Sequence, residues 1–302
     1  FCLMSKSKDP GLGSNYRASV SRMINEDGTY NIQRSGGMHT FRDLYKYLIE
    51  VRWGTFFLLT VSTYLLINVI FAGIYMIGGV EDISGINPNS NKFLNAFFFS
   101  VQTFTTVGYG FLAPVGAIAG IISTFEAFLG LLYFALITGL LYGRFSKPSS
   151  KIAFARNAIL TDYEGGKAVM FKMVNQRNSV LLKASVKCII SMDALDGQRT
   201  YHHITLELDY IQFFPLTWTI VHKVDENSPL YELSVEQIKE RNTELIVMVE
   251  AFDETFSQNI IEKRSFAGDQ WIGGVKFKRN FSVNEEGKID LRIDELNDVE
   301  AI

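Results

Sequence analysis

The chain has 302 residues, 47% of them hydrophobic and 20% charged, with a formal net charge of -3. That length allows one large or two modest domains, and the near balance of charge gives no basis for a nucleic-acid partner. The average conceals a division, because no charged side chain occurs from Trp53 through Val80 and only Glu126 occurs from Phe93 through Gly143. A membrane half and a soluble half are expected. Cys2 and Cys188 are the two cysteines. They are far apart in sequence and both expected on the cytoplasmic side, which argues against a structural disulfide. The numbering opens on Phe1 and shows no basic, apolar and small-residue leader, so insertion is expected to rely on the first spanning helix.

Residues 1–40 are rich in Gly, Ser, Asn and charge and read as a mobile cytoplasmic arm, with one short strand near Thr29–Ile32 after an Asp27-Gly28 turn. In residues 41–52, Phe41, Leu44, Tyr45, Leu48 and Ile49 fall on one helical face, with Arg42, Asp43, Lys46 and Glu50 on the other. Such a helix can sit in a core or lie in a membrane interface, and its direct run into Arg52 and Trp53 favours the interface. Thr55–Gly79, about 25 residues, can cross a hydrocarbon core of about 30 Å with some tilt and is the outer-helix candidate. Residues 81–91, with Gly85, Pro88, Asn89 and Ser90, read as an exposed loop. Ser90 or Asn91 can cap a shorter helix, Lys92 to about Thr105, too short to span. Pro114 and Gly116 break the chain before Ile118–Leu141, the inner-helix candidate. Arg42, Lys46 and Arg52 precede the first span and Arg144, Lys147 and Lys151 follow the second, against Lys92 alone between them. Both termini are therefore expected in the cytoplasm.

Between the short helix and Pro114 stands Thr106-Val107-Gly108-Tyr109-Gly110. This is the TVGYG sequence of potassium filters, four copies of which present rings of backbone carbonyls in place of the hydration shell of K⁺. Gly108 and Gly110 allow the backbone to turn its carbonyls inward, while Val107 and Tyr109 point away. Irregular backbone at membrane depth needs protein around it or water along it, and a preceding short helix with two flanking spans meets that need. The pentapeptide alone would also fit a turn in a soluble loop; its flanks argue against that. The carboxyl end of the short helix would face the pore, where its partial negative charge favours a cation.

After Pro148, Ala168–Val174, Leu181–Met192, Thr200–Leu208, Leu216–His222, Glu244–Phe252 and Phe256–Ser265 are strand-like runs separated by turns such as Glu164-Gly165-Gly166 and Asp196-Gly197. Ser234 and Gln237 have the spacing of a capping box and begin one short helix, Val235–Arg241. Many short strands and little helix argue a β-sandwich of about 150 residues. No internal repeat or low-complexity tract is evident.

From Met23-Ile24-Asn25-Glu26-Asp27-Gly28 onward the sequence resembles the inward-rectifier potassium channel family, most closely its prokaryotic branch. The filter run Thr105–Gly110 is common to potassium channels. More discriminating are Tyr142-Gly143-Arg144-Phe145-Ser146-Lys147-Pro148, and Thr217-Trp218-Thr219-Ile220-Val221-His222 leading into Asp225-Glu226-Asn227-Ser228-Pro229-Leu230-Tyr231. The resemblance implies a membrane α-helical pore of two spanning helices plus a re-entrant pore helix, followed by a C-terminal cytoplasmic immunoglobulin-like β-sandwich. The division expected is an arm (1–40), an interfacial helix (41–52), a pore domain (53–148) and the sandwich (149–302). It further implies a homotetramer in a bacterial plasma membrane, passive K⁺ conduction without another cofactor, and regulation by anionic lipids. Two departures are visible. No cysteine lies between Glu81 and Val115, where animal members carry a pair, and Trp271-Ile272-Gly273-Gly274 does not match the family's spacing, leaving the strand register there open.

The candidate ion ligands are the hydroxyl and carbonyl of Thr106 with the carbonyls of Val107, Gly108 and Tyr109. Glu126, the acid of the inner helix, is either a functional ionisable group or a structural carboxylate hydrogen-bonded behind the filter, and the structural reading is favoured here. Phe134, Thr138 and Tyr142 share one helical face, which either packs on the outer helix or, as the resemblance implies, lines the pore and closes it by dewetting. Strongly rectifying relatives carry an acid at the position aligning with Phe134, so weak rectification is implied. Gly130 and Gly139 are bending points or close-packing positions. Arg52, Arg144, Lys147 and Lys151 satisfy the topology rule and form a candidate lipid-binding cluster. His39, His202, His203 and His222 show no metal-binding spacing, and Gly165-Gly166-Lys167 is not a phosphate loop. An enzyme is not expected. Two rivals remain open: a non-conducting membrane-anchored binding protein, and a two-helix channel gated by another ligand, whose α/β domain would need a GxGxxG absent after Pro148.

Overall fold

The computed structural model describes residues 10–12, 22–33, 41–86, 90–146, 151–194 and 197–302, apart from the side chains of residues 41 and 42. The chain divides into two compact units, Gly36–Lys147 and a second made of Phe1–Ser35 with Pro148–Ile302.

The first unit is helical. Helix α1 (Phe41–Glu50) precedes α2 (Trp53–Gly78), and Arg52 stands between them in extended conformation as the residue before α2. At 1.5 Å per residue α2 is about 39 Å long, enough to cross a membrane core at a tilt. Its Thr60 and Thr63 hydroxyls donate back to the carbonyls of Phe56 and Leu59, so these two are satisfied within the helix. Part of the expected exposed loop after α2 is regular structure, while Pro88 and Asn89 lie outside the described residues. A 3-10 turn at Val80–Asp82 leads to β1 (Ile83–Ser84), which pairs antiparallel with β2 (Ala113–Pro114) beyond the filter. Helix α3 (Lys92–Phe104) starts at Asn91, whose side chain accepts from the Leu94 N–H at 3.2 Å. Helix α4 (Ala117–Phe145) is longer at both ends than its apolar run suggests. Both α2 and α4 are long and apolar enough to cross a membrane, and most of their side chains are exposed within one subunit. Phe71, Ala72, Tyr75, Ala96, Phe99 and Ala119 form the small core where α2, α3 and α4 meet.

The second unit is a β-sandwich. Strands β3 (Ile152–Phe154), β4 (Ala158–Tyr163), β5 (Gly166–Asn175), β6 (Leu181–Asp193), β7 (Arg199–Ile204), β8 (Tyr210–Phe214), β9 (Thr217–Val224), β10 (Glu244–Asp253), β11 (Gln258–Ala267) and β12 (Trp271–Gly273) build two five-stranded sheets. One runs β11-β10-β6-β7 with β8 also on β6, and the other runs β12-β4-β5-β3 with β9 also on β5. Alternate residues of both sheets, among them Leu160, Phe171, Met173, Val186, Ile190 and Val247, fill a single apolar core. Helix α5 (Val235–Glu240) carries the expected capping box between Ser234 and Gln237. Four shorter strands complete the chain: β13 (Val275–Phe277) pairs with β16 (Val299–Ala301), and β14 (Phe281–Val283) with β15 (Ile289–Leu291).

Two expectations need correction, and one register left open is decided. The run Thr200–Leu208 is strand only over β7, because Thr205 and Glu207 turn their backbones to His222 and Val221. The Trp271 region resolves as β12, the one parallel partner in its sheet, with Trp271 opposite Ala158 and its fully buried indole donating to the Thr243 carbonyl at 3.0 Å. The arm is not free over residues 22–33. Ile24 bridges Tyr30 in place of the expected strand, Met23 and Ile24 are buried against Ile246, and the carboxylate of Glu244 accepts their backbone N–H groups at 2.9 to 3.1 Å. The Arg22 guanidinium donates to the Ser265 carbonyl and Ser265 Oγ to the Ile24 carbonyl, so this segment is stitched to the sandwich by side chain and main chain together.

Candidate ion-conduction site

The last turn of α3 delivers the backbone directly into the filter sequence. Carbonyls of Gln102 and Thr103 accept the N–H groups of Val107 and Thr106 at 3.0 Å, which fixes where the loop leaves the helix. Thr106, Gly108 and Gly110 then take positive φ, at 56, 53 and 82°, with Val107 and Tyr109 between them. Alternation of left-handed with ordinary residues turns successive carbonyls to one side of the strand. Glycine does this without strain, but Thr106 is β-branched, and a positive φ there is a rare and costly conformation held by its surroundings. Sequence reasoning assigned the special backbone to the two glycines and missed Thr106. The Val107 and Tyr109 side chains are 53% and 79% exposed.

Behind this loop the three helices meet in a buried polar group. Glu126 of α4 is fully buried, accepts from the Tyr75 hydroxyl at 2.7 Å and is hydrogen-bonded to Ser100 Oγ of α3. Ser100 Oγ also reaches Asn68 Oδ1 of α2 at 2.9 Å. The acid is thus turned toward the pore helix. Four residues further along, Gly130 lets α4 come against the end of α3: a Cβ built on it would lie 2.0 Å from the Phe104 carbonyl oxygen. Close packing is the use made of Gly130, whereas a Cβ on Gly139 would meet nothing within 4 Å. Phe104 is itself fully buried, ringed by Tyr64, Tyr133 and Phe134 at centroid distances of 5.5 to 6.3 Å.

Phe134, Thr138 and Tyr142 share an exposed face of α4, and Thr138 turns its hydroxyl back to the Phe134 carbonyl at 2.8 Å. Four large or methyl-bearing side chains of this kind around an axis would make an apolar constriction. At the end of α4 the basic residues part company. The Arg144 guanidinium donates to the Leu48 and Val51 carbonyls at 2.5 and 2.6 Å and lies over the rings of Trp53 and Phe56, at 4.4 and 4.7 Å from their centroids. It closes the open carboxyl end of α1, a role invisible in the sequence because it depends on how α1 folds back. Arg52 and Lys151 are exposed, and Lys147 lies outside the described residues, as do Cys2 and His39.

In the sandwich, the discriminating motif around His222 is structural. Its ring is buried, with Nδ1 at 2.7 Å from the Thr205 carbonyl and Nε2 at 2.8 Å from Ser228 Oγ. The carbonyl can only accept, so Nδ1 carries the hydrogen. Burial holds the imidazole below its ordinary titration range, opposed by the Thr205 hydrogen bond and by nearby Asp225. Ser228 also accepts from the Leu230 N–H and seats Leu230 in the core. His202 is half-buried beside Thr200, and His203 is exposed. Among the described residues no cluster of three or more His, Cys, Asp or Glu side chains could hold a metal ion. Cys188 is a buried free thiol, with burial raising it above its usual range.

Two apolar spans, a re-entrant helix between them and a loop of alternating positive φ define the class as a membrane channel. Residues 152–302 match the inward rectifier potassium channel C-terminal domain, and residues 56–147 match an ion channel family. The chain is 31% identical over 288 residues to the inward rectifier potassium channel Kirbac3.1 of Paramagnetospirillum magnetotacticum, covering 93% of this chain and 97% of that protein. It is 24% identical over 290 residues to G protein-activated inward rectifier potassium channel 2 of Rattus norvegicus and of Homo sapiens, covering 86% of this chain and 68% of each relative. The chain belongs to the inward-rectifier potassium channel family. It is a potassium channel and not an enzyme, with a two-span pore and a C-terminal β-sandwich.

Proposed function

We propose that four copies assemble around one axis so that Thr106, Val107, Gly108 and Tyr109 form stacked carbonyl rings that pass K⁺ and exclude Na⁺ by passive conduction. The observation that carries this reading is the alternation of positive φ at Thr106, Gly108 and Gly110 directly after α3. Exposure of Val107 and Tyr109 in one subunit supports it, since neighbouring copies would bury them. Glu126 acts as a structural acid behind the filter, supported by its hydrogen bonds to α2 and α3. Phe134, Thr138 and Tyr142 form the gate, supported by their shared exposed face. The channel sits in a bacterial plasma membrane with both termini cytoplasmic, the side favoured by the basic residues flanking the spans. Anionic lipid headgroups meet Arg52, Lys147 and Lys151, each by its place in the chain beside a span, whereas Arg144 acts chiefly as a tie between helices. K⁺ is the permeant ion, and conduction by carbonyl rings requires no other cofactor.

The test is flux. Purified protein in liposomes is expected to take up Rb⁺ and exclude Na⁺, and Gly108→Ala to degrade that preference, because its φ of 53° strains any residue with a Cβ. Equal uptake of both ions by the wild type would falsify the reading.

A further inference from the structure

Hydrogen-bond accounting behind the filter assigns a proton to a side chain that the sequence leaves undecided. Ser100 Oγ touches two oxygens, Asn68 Oδ1 at 2.9 Å and Glu126 Oε1. A serine hydroxyl has one hydrogen and can donate to only one of them, so the other contact needs a hydrogen from the far side. Asn68 cannot supply it. Its Nδ2 donates to the Tyr64 carbonyl at 2.8 Å, and turning the amide over would set Oδ1 against that carbonyl, two acceptors with nothing between. Tyr75 donates to the other oxygen of Glu126, at 2.7 Å. Asn68, Ser100 and Glu126 are 0% exposed and Tyr75 is 1% exposed, so the contacts are closed to solvent within one subunit.

Among the described residues of α2, α3 and α4, no basic side chain lies close enough to compensate an ionised carboxylate. Helix α2 has no Lys, Arg, His, Asp or Glu. Helix α3 has only Lys92, about 12 Å along the axis from Ser100 and paired with Glu81. Besides Glu126, α4 has only Arg144, about 27 Å away and engaged with α1. The other titratable groups on these helices that face this region, Tyr64 and Tyr133, pack their rings on Phe104.

We infer that Glu126 is held as a neutral carboxylic acid and is the donor that starts a hydrogen-bond chain across three helices. Its Oε1–H donates to Ser100 Oγ, Ser100 donates to Asn68 Oδ1, and Asn68 Nδ2 donates to the Tyr64 carbonyl, while Tyr75 donates to Glu126 Oε2. In this order each of the four contacts has one hydrogen and no buried acceptor faces another. Glu126 is then a positioning residue for the pore helix, acting through Ser100, and its proton is part of the fold. Removing the proton leaves Ser100 between two acceptors and frees α3 from either α2 or α4.

Infrared spectroscopy of the full-length protein in lipid at neutral pH tests the proton directly. The wild type is expected to show the carbonyl stretch of a buried protonated acid, and E126Q to lack it; identical spectra in that region would overturn the inference. Glutamine can donate to Ser100 and accept from Tyr75 as the neutral acid does, so E126Q is expected to keep Rb⁺ uptake within about twofold of wild type. Failure of E126Q to assemble or conduct would also overturn it. Raising the pH from neutral to about 9 is expected to lower wild-type uptake severalfold and to leave E126Q nearly unchanged; matching profiles in the two proteins would count against the inference. The uptake arms rest on the conduction reading and the infrared arm does not, so a wild type that passes no Rb⁺ sinks the former while the spectra still decide the proton.

Discussion

Gly130→Ala puts one methyl group where α4 touches the end of the pore helix, and the structure sets the scale of the damage. The new Cβ would lie 2.0 Å from the Phe104 carbonyl oxygen and 2.9 Å from its carbon, against an ordinary contact of 3.4 to 4 Å, so the two helices must separate by about 1.4 Å there. Both offending atoms are backbone, and they cannot swing aside, because the Phe104 ring is locked among Tyr64, Tyr133 and Phe134. Overpacking of this kind costs about 1–3 kcal/mol, and a contact this short belongs at the upper end. Alanine returns about 1 kcal/mol of helix propensity, which leaves a net loss of roughly 2 kcal/mol per subunit. The functional effect is larger than the stability effect. Thr105 and Thr106 follow Phe104 immediately, and a shift of about 1 Å at the helix end is passed to the strained backbone of the filter. The expected result is a lower melting temperature of the assembled protein, and Rb⁺ uptake reduced at least tenfold or with its preference over Na⁺ weakened. Gly139→Ala is the control, since its Cβ meets nothing within 4 Å of its own subunit, and it is expected to conduct as wild type. Wild-type uptake, ion preference and melting in Gly130→Ala would refute the argument that this contact sets the position of the pore helix.

Arg144→Gln removes charged hydrogen bonds to two carbonyls and a cation over two rings, and is expected to destabilise the junction of α1 with α4 by roughly 1.5–3 kcal/mol in thermal melts, in neutral as well as anionic lipid. A defect confined to anionic lipid would instead return Arg144 to the lipid site. His222 is held neutral by burial, so its folded-state titration lies below that of the unfolded chain. It therefore costs no stability at neutral pH and costs some as pH falls through about 6.5 toward the depressed value, where only the unfolded state gains the proton. Melting of the full chain should accordingly drop on acidification across that window, and the drop should be smaller in His222→Gln; equal drops would place the acid sensitivity elsewhere. Phe134 stands on the exposed face of α4, while Glu126 is turned to the pore helix, so internal spermine should block wild-type currents in planar bilayers only weakly. Phe134→Asp should block steeply, because a ring of acids attracts polyamine where screening is weak. Steep block in the wild type would mean that another acid lines the path.

Much of the membrane half is legible in the sequence because its physics is one-dimensional. A span must be apolar over a fixed length, and α2 and α4 follow from the charge-poor stretches and the break at Pro114 and Gly116, with Asn91 and the glycines of the filter sequence marking where the short helix begins and the loop ends. The capping box at Ser234 is equally local, and α5 appears where it requires. The long strands of the sandwich core were readable from runs of branched and aromatic residues, but β3, β4, β8 and β12 were not. They are short, and what makes them strands is a partner elsewhere in the chain, next in sequence for β4 but about 20 residues away or more for β3, β8 and β12. The arm was misread for the same reason: nothing in Arg22–Tyr30 signals burial, since the group that captures its backbone is Glu244, more than two hundred residues away.

The candidate site divides along the same line. Sequence alone determined the TVGYG run and the residues proposed as the filter, the place of Glu126 in an apolar helix after it, and the apolar character of Phe134. These are properties of residue order and survive any arrangement of the helices. Tertiary structure alone decided that Thr106 shares the left-handed backbone with the two glycines, that Gly130 is a contact and not a hinge, that Arg144 seals a helix end, and that Ser100 and Asn68 complete the bonding of Glu126. Each of these depends on which polar or bulky group a different helix brings within about 3 Å, and a hydrogen bond or a steric contact at that range has no trace in the spacing of either helix taken by itself.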